Sequence, residues 1–358
     1  MVDTISIKIS VKNPKGEYIE TEVMNILYSA INSLCYQNRL SFSASDNCLN
    51  VILSYPKYFY FTNAYLISRN EECMEVNNNF ISYLREYITN SVGMNYSNYL
   101  NYFENNIGIT LTRVDTPFTY FMNAEETFYS YKNIYKILGN IYSYKNSKCN
   151  PKNYNNFLKN EMETLIFADT ANVGAFNSKI TIYNQFNKMT DYYKNNSNIL
   201  EKIIKDYPDL QSRIRIEVSK KIRRKVFSPE EFRTFCIFEY VYKFADYALE
   251  NMFDSSILNL IIDQQKNNLK SLLLKEKQYS NFNYEYFIYK YIEEIWDYDI
   301  LKRAIMEVSN NSNSGYHACS TVKNILCSIQ QCNGILFFGV IKKINDMINY
   351  FNQIKRGY

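Results

Sequence analysis

Segments in which apolar and polar residues alternate constrain the fold of this 358-residue chain most, because they predict strands only before residue 227. In the first segment, Ile5, Ile7, Ile9 and Val11 alternate with polar residues, which is the period-two pattern of a strand with one buried face. Polar residues 45–47 separate two further segments and predict a hairpin. The predicted strands are 4–12, 40–44, 49–54, 108–121, 178–186 and 213–221.

Helical spacing of apolar residues fills the intervals between these strands and dominates the rest of the chain. The predicted helices are 20–36, 72–105, 124–143 and 188–209, and the polar segment 144–160 is predicted to be a loop. Ser228, Pro229 and Glu231 form a helix start, with a capping serine, proline in the first turn and acids after it. We therefore expect an α+β domain over 1–227 and an all-helical domain over 228–358.

Composition excludes some classes of protein and leaves others open. The chain has no uninterrupted apolar stretch of about 18 residues, so no transmembrane helix is predicted. Its start lacks the basic-then-apolar pattern of a signal peptide, and its eight scattered cysteines suit reduced thiols, so we expect a cytoplasmic protein. The net charge of +4 is modest, and the 35 tyrosines fit the codon bias of an AT-rich genome. Any argument for a nucleic-acid partner therefore depends on where the charges lie.

The most basic predicted strand is 213–221. Alternation places Arg213, Arg215, Glu217, Ser219 and Lys221 on one face, opposite an apolar face. One carboxylate among several cations on an open sheet face can hold a divalent ion while the cations contact phosphate oxygens. The alternative is a salt-bridged strand at the surface, which is common in proteins.

A tyrosine lies among polar residues on the predicted strand 178–186. Ile180 and Ile182 point inward, so Lys179, Thr181 and Tyr183 share the opposite face. A phenol next to a metal-polarised phosphate can attack phosphorus and form a covalent phosphotyrosyl link. In a chain this rich in tyrosine, packing is the alternative role for Tyr183.

A second candidate carboxylate lies on the predicted strand 108–121, where Arg113 and Asp115 share a face and Pro117 limits continued pairing. The alternative for Asp115 is an ion pair with Arg113 or a cap of the turn near Pro117. Lys57 follows the strand 49–54 in a polar corner, where it either contacts a DNA backbone or is a solvated loop lysine.

Taken in order, these segments resemble the phage and plasmid rolling-circle replication initiators of the filamentous-phage gene II/X class. The resemblance covers most of residues 1–227. The matching pieces are Met1-Val2-Asp3-Thr4-Ile5, Ser54-Tyr55-Pro56-Lys57, Thr112-Arg113-Val114-Asp115, Ser178 to Tyr183 and Arg215-Ile216-Glu217-Val218. It implies an antiparallel sheet with flanking helices in a relaxase-like nuclease domain.

The same resemblance implies a DNA-nicking and joining endonuclease that initiates rolling-circle replication at an origin. Tyr183 matches the nucleophile and Lys179 assists it, while Asp115 and Glu217 match acidic positions that hold Mg²⁺ or Mn²⁺. The implied DNA-contacting residues are Lys57, Arg113, Arg213, Arg215 and Lys221. The free 3′ hydroxyl primes synthesis, so host helicase and DNA polymerase are implied partners besides origin DNA.

One departure from the resemblance and one feature of the composition affect the implied metal site. Asn184 stands where many relatives have an acid. The chain has a single histidine, His317, so a paired-histidine metal site is excluded and carboxylates must hold the metal.

Two other functions compete with nicking. One is a non-catalytic origin-binding replication or copy-control protein, which keeps the basic strand and does not need Tyr183. The other is a helical scaffold or interaction protein with no nucleic-acid role. In the C-terminal region, helices around 320–343 either pack as a core or form a helix-turn-helix, and we favour packing because their apolar residues resemble a core.

Overall fold

The computed structural model of the chain describes residues 3–45, 47–60, 62–64, 67, 69–146, 164–170, 172–309 and 311–356. The fold is a mixed α+β fold, as the sequence predicts. The predicted loop 144–160 lies almost entirely outside the described residues. No described helix is long and apolar enough to cross a membrane.

The described strands form one seven-stranded sheet in the order β2-β3-β1-β4-β7-β6-β5. They are β1 (Thr4–Val11), β2 (Leu40–Ser45), β3 (Cys48–Ser54), β4 (Ile107–Phe121), β5 (Thr164–Ala168), β6 (Ser178–Asn184) and β7 (Arg213–Phe227). The pairs β1–β3, β1–β4 and β2–β3 are antiparallel, and β2–β3 is the predicted hairpin. Sequence reasoning missed β5 and ended β7 six residues early.

Fourteen α-helices lie within the described residues. They are α1 (Tyr18–Tyr36), α2 (Tyr55–Tyr60), α3 (Asn70–Val92), α4 (Tyr96–Asn106), α5 (Lys132–Lys145), α6 (Gln185–Tyr192), α7 (Ser197–Asp206), α8 (Pro229–Arg233), α9 (Glu239–Asn251), α10 (Ser255–Glu276), α11 (Tyr284–Lys290), α12 (Tyr298–Val308), α13 (Ser312–Asn333) and α14 (Val340–Lys355).

Two predicted long helices are each broken in the structure, so those predictions were wrong in their extent. The helix predicted over 72–105 is α3 and α4, separated at Gly93, whose combination of φ 60° and ψ −130° is favourable for glycine alone. The helix predicted over 188–209 is α6 and α7. The predicted start at Ser228 is confirmed: its hydroxyl accepts from the Glu231 amide in a capping box, although α8 ends at Arg233.

By internal contacts the chain divides into two compact units that do not follow chain order. Unit 1 comprises Met1–Phe118, Gly174–Ile180 and Ile216–Phe244, and unit 2 comprises Thr119–Val173, Thr181–Arg215 and Ala245–Tyr358. The boundaries fall within β4, β6 and β7. The division into domains 1–227 and 228–358 stays a prediction about which segments fold independently.

Unit 1 has its core against one face of the strands. Ile5, Ile7 and Ile9 of β1 are almost fully buried, as are Val51 and Leu111, which pair with Ile7. These apolar residues alternate with polar ones, so the sheet has one apolar face and one polar face in this unit.

In unit 2, the C-terminal helices bury the apolar residues that the sequence placed in a core. Leu326, Ile329 and Phe337 are buried, which favours plain packing of α13 and α14. Asp297 strengthens this packing because its carboxylate accepts from the amides of Asp299, at the start of α12, and Val340, at the start of α14.

A buried polar relay connects three elements of unit 1. The Tyr55 hydroxyl donates to Oδ1 of Asn77 at 2.7 Å, and Nδ2 of Asn77 donates to the Phe235 carbonyl at 3.2 Å. Tyr55 and Asn77 are fully buried and cannot hydrogen-bond to water, so these two bonds satisfy their polar groups. The relay therefore fixes α2 and the segment after α8 against α3.

Replacing Asn77 by alanine should lower the free energy of unfolding by about 3 kcal/mol, because it leaves both the Tyr55 hydroxyl and the Phe235 carbonyl buried and unpaired. Tyr55→Phe should cost less, because it leaves only one atom of Asn77 unpaired. Urea unfolding measures both changes, and Asn79→Ala on the exposed side of α3 is the matched control. Equal losses in the three variants would contradict the relay.

Candidate functional site

A β-bulge in β4 determines which side of the sheet the candidate acid Asp115 occupies. Leu111 pairs with Ile7 of β1, whereas Arg113 pairs with Ser6, so Thr112 is an extra residue opposite these two. The Thr112 hydroxyl donates to the Ser6 carbonyl at 2.9 Å. As a result Val114 joins the apolar face, and Arg113 and Asp115 move to the polar face.

Two acidic side chains of unit 1 act on a third, Asp115, at this end of the polar face. Thr4 is the β1 partner of Asp115, and the Asp3 amide donates to the Asp115 carbonyl at 3.4 Å. The negative charges of Glu217, on β7, and Asp3 both raise the pKa of Asp115. Asp3, Asp115 and Glu217 are called the acid cluster below.

The surroundings of the Asp115 carboxyl group disfavour its negatively charged form. Burial, followed by the charge of Glu217, raises its pKa to about 7, although Arg113 and the Ser219 hydroxyl act in the opposite direction. Arg113 Nη2 lies 2.9 Å from Oδ2 of Asp115. Oδ1 is buried and has no hydrogen-bond partner among the described residues. The ion pair therefore compensates only part of the cost of burying this carboxylate.

The expectation of an open sheet face around these residues was wrong. Asp115 is 6% exposed, Arg215 is 1% exposed and Ser219 is fully buried, whereas Glu217 is half-buried and Lys221 is exposed. Both faces of β7 are covered at its N-terminal end. Alternation predicts which side chains share a face and does not predict whether another element covers it.

Arg215 is a buried cation without its full set of partners. Its Nε and Nη2 atoms have no hydrogen-bond partner within the described residues. The residue belongs to unit 2, where the charge of Arg215 lowers the pKa of Tyr350 while burial raises it more strongly. A guanidinium group in this state is well suited to an anion such as a phosphate, because ligand oxygens would satisfy its free donors.

Tyr183, also in unit 2, lies near the end of β6 and is 5% exposed. The ammonium group of Lys188 on α6 lies 3.9 Å from the centre of its ring. The ammonium group therefore lies against one face of the aromatic ring in a cation–π contact. Sequence reasoning missed Lys188. It lies five residues after Tyr183, beyond the end of the strand, so neither helical nor strand periodicity connects the two residues.

Asn184 has a structural role in place of the missing acid. Its side chain caps α6 by accepting from the Asn187 amide at 3.1 Å, and it donates to the Gln211 carbonyl at 3.3 Å. Asparagine is among the best capping residues. Asn184 therefore belongs to the local framework that positions the end of β6.

The remaining predicted cations have different surroundings. Lys179 and Lys221 of unit 1 lie over the same ring, that of Phe176, at 4.7 and 5.5 Å from its centre. Arg213 makes a two-bond ion pair with Asp209 at 3.0 and 2.9 Å, so the salt-bridge alternative holds for this residue. Lys57 is half-buried in α2, which replaces the predicted loop.

The predicted site residues are therefore divided between the two units. Unit 1 holds Lys57, Arg113, Asp115, Lys179, Glu217 and Lys221, and unit 2 holds Tyr183, Arg213 and Arg215. The charge of Glu217 acts on Asp115, and their joint role as metal ligands stays a prediction. Convergence of Tyr183 with these acids stays a prediction.

Sequence reasoning missed three contributors to the acid cluster. Asp3 lies just before β1, Ser54 Oγ donates to its Oδ1 at 3.4 Å, and Ser219 acts on Asp115. Ser54 also donates to Asn63 Oδ1 at 3.3 Å. The signal for Asp3 was an acid directly before a strand whose partner strand contains Asp115, but the pairing of the two strands is not visible in the sequence.

The described residues contain no group of three or more His, Cys, Asp or Glu side chains arranged to hold a metal ion. The acid cluster nevertheless has the donor chemistry of a magnesium or manganese site, since its ligands are carboxylate oxygens. The unpartnered Oδ1 of Asp115 and the repulsion that Glu217 and Asp3 exert on this carboxyl are both features that a cation would relieve.

Comparison with protein-family models, with curated proteins and with solved structures finds no match. The resemblance to rolling-circle initiators therefore stays a prediction.

Asp115→Asn should change how stability depends on pH. The folded chain keeps a proton on Asp115 up to a pH of about 7, whereas the unfolded chain releases it near 4. Stability should therefore fall as the pH rises from about 4 to about 7. The asparagine variant should lose this slope and be more stable near pH 8 by on the order of 2 kcal/mol.

Urea unfolding of both proteins across this pH range measures the effect. Asp263→Asn, on the exposed side of α10, is the matched control and should keep the slope of the original chain. Parallel pH curves for the Asp115 variant and the original chain would show that this carboxyl titrates normally.

Proposed function

We propose that this protein nicks one strand of DNA and rejoins it, in the manner of a rolling-circle replication initiator. The observation on which the proposal depends is the buried Asp115 carboxyl, whose pKa is raised to about 7 by burial and by neighbouring acids and whose Oδ1 is unpartnered. A group this perturbed is more common at functional sites than elsewhere.

In this proposal Asp115 and Glu217, with Asp3, would hold Mg²⁺ or Mn²⁺. When bound, such an ion polarises a phosphoryl oxygen and neutralises developing charge. The residues of the chain have separate tasks: Arg113 holds Oδ2 of Asp115 in place, which leaves Oδ1 available. The Ser219 hydroxyl stabilises the charged form of Asp115.

Tyr183 is proposed as the nucleophile. Its phenol oxygen loses its proton to solvent and bonds to phosphorus, while the bond from phosphorus to the 3′ oxygen breaks and that oxygen takes up a proton from solvent. The products are a 5′-phosphotyrosyl link and a free 3′ hydroxyl, which can attack the link later to rejoin the strand.

Arg215 is proposed to contact phosphate oxygens, because binding would supply the partners that its Nε and Nη2 lack. Lys57, Lys179 and Lys221 are further candidates for phosphate contacts, since each belongs to the unit that holds the acid cluster. Arg213 is less suited, because Asp209 already engages its guanidinium group.

One observation favours a second candidate, a non-catalytic origin-binding or copy-control protein. Tyr183 is 95% buried, whereas a nucleophile must reach a phosphate of DNA. Under this alternative, Tyr183 is a packing residue beneath Lys188 and the basic residues alone bind DNA.

Tyr183→Phe discriminates the two candidates. Mixed with Mg²⁺ or Mn²⁺ and a supercoiled plasmid that carries the origin, the original chain should relax the plasmid and remain attached to the 5′ end of the cut strand. The variant should bind the same DNA and neither cut nor attach to it. A denaturing gel of end-labelled DNA detects the cut and the adduct together.

Tyr192→Phe, on exposed α6, is the matched control and should cut normally. A chelator should abolish cutting by the original chain. Cutting by the phenylalanine variant would assign the nucleophile elsewhere, and binding without any cutting by the original chain would favour the non-catalytic protein.

Arg215→Met should separate activity from stability. Removing a buried guanidinium with unpartnered donors should raise the free energy of unfolding by about 1 kcal/mol or more, because its burial cost disappears. The same change should reduce nicking strongly. Urea unfolding and the plasmid assay measure the two effects, and Arg85→Met, in an exposed pair with Glu104, should change neither by much.

A further inference from the structure

The polar face of β1–β4 continues away from the acid cluster as an exposed surface with a regular composition. Paired residues of antiparallel strands point to the same side, so the register defines rows of side chains across the strands. The first row contains Ser54, Thr4 and Asp115. The second row contains Ser41, Ile52, Ser6 and Arg113. The third row contains Ser43, Asn50, Lys8 and Thr110.

The second and third rows, together called the hydroxyl face, are open to solvent. Ser41, Ser43, Asn50 and Lys8 are exposed, and Ile52 is 40% exposed. All these residues belong to unit 1. The third row lies four residues along β1 from the first, a distance of about 14 Å at the rise of an extended strand.

The charge and chemistry of the hydroxyl face favour a phosphate backbone. Its two charged residues, Lys8 and Arg113, are both cations, and Lys8 forms no ion pair with a described residue. Serine, threonine and asparagine side chains are common donors to phosphate oxygens. The face is continuous with the row that contains Asp115, so a bound backbone would reach the acid cluster directly.

The hydroxyl face contains no aromatic side chain, and this favours binding of duplex DNA over binding of single-stranded DNA. Proteins that bind single strands stack the bases on aromatic rings, whereas the ring nearest these rows on β2, that of Phe42, points to the other side and packs against Tyr28 of α1. In a duplex the bases are already stacked on one another, and the phosphates form the outer surface.

We propose that the hydroxyl face binds the sugar-phosphate backbone of duplex DNA beside the position that is cut, with Lys8 as its central cation. This inference rests on the proposed function, since it takes DNA as the ligand. Beyond the proposed nicking function, it names the surface that contacts DNA and specifies that the DNA is a duplex.

The test is the salt dependence of binding to a labelled duplex of arbitrary sequence, measured by fluorescence anisotropy in a chelator so that no cutting occurs. Lys8→Ala should weaken binding and reduce the slope of log affinity against log salt by about 1, because one phosphate contact is lost. Ser43→Asp should also weaken binding, since it places an acid in the same row. Lys323→Ala, an exposed lysine of α13, is the control and should keep the slope.

The outcomes separate this inference from the proposed function. An unchanged slope in Lys8→Ala, with normal nicking by the original chain, would overturn the surface and leave the nicking proposal standing. A reduced slope in a protein that never nicks would support the surface and overturn nicking. If Lys8→Ala weakened binding only to single-stranded DNA of the same sequence, the proposal that the face binds duplex DNA would be overturned.

Discussion

The extra residue at Thr112 is the constraint on which the candidate site depends. Without it, strict alternation from Leu111 would direct Arg113 and Asp115 into the apolar face of unit 1. There the pair would lie among apolar side chains, away from the Glu217 carboxylate and the Ser219 hydroxyl that act on Asp115. With the bulge, Val114 fills the core and the acid lies on the polar face, close enough to Glu217 for their charges to interact. The one-residue shift at Thr112 therefore determines whether Asp115 lies in the apolar core or in the candidate site.

Two charged groups of this protein are held in states that oppose folding. Asp115 is buried beside other acids, and Arg215 is buried with unpartnered donors. Under the proposed function, both groups contribute to the folding cost of a ligand site, because a site whose groups are all paired within the protein has little to offer a ligand. The Arg213–Asp209 pair shows the contrast: its donors are occupied, and it has the character of a structural salt bridge.

The sequence predicted the parts of the fold that depend on local periodicity. The strands at Thr4–Val11 and Ile107–Phe121 and the hairpin after Leu40 were predicted because apolar alternation and polar turns are local signals. The bulge was not, because the break in alternation between Leu111 and Val114 does not by itself show that Thr112 is an extra residue. Burial of Arg215 was not predictable either, because it depends on residues far away in the chain. Asp3 was missed for the same reason, as its role arises from pairing between strands.

The acid cluster also bears on the choice between a catalytic and a purely DNA-binding protein. DNA is a polyanion, and acids at the end of an otherwise cationic and hydroxyl-rich face repel it. A protein that only bound DNA would bind more tightly with Asp115 replaced by a neutral residue. A divalent cation reverses this argument, because it converts the acids from a source of repulsion into the ligands of a positive centre. The position of Asp115 in the same set of rows as Lys8 and Arg113 is therefore a feature that the proposed metal-dependent reaction would explain and that binding alone would not require.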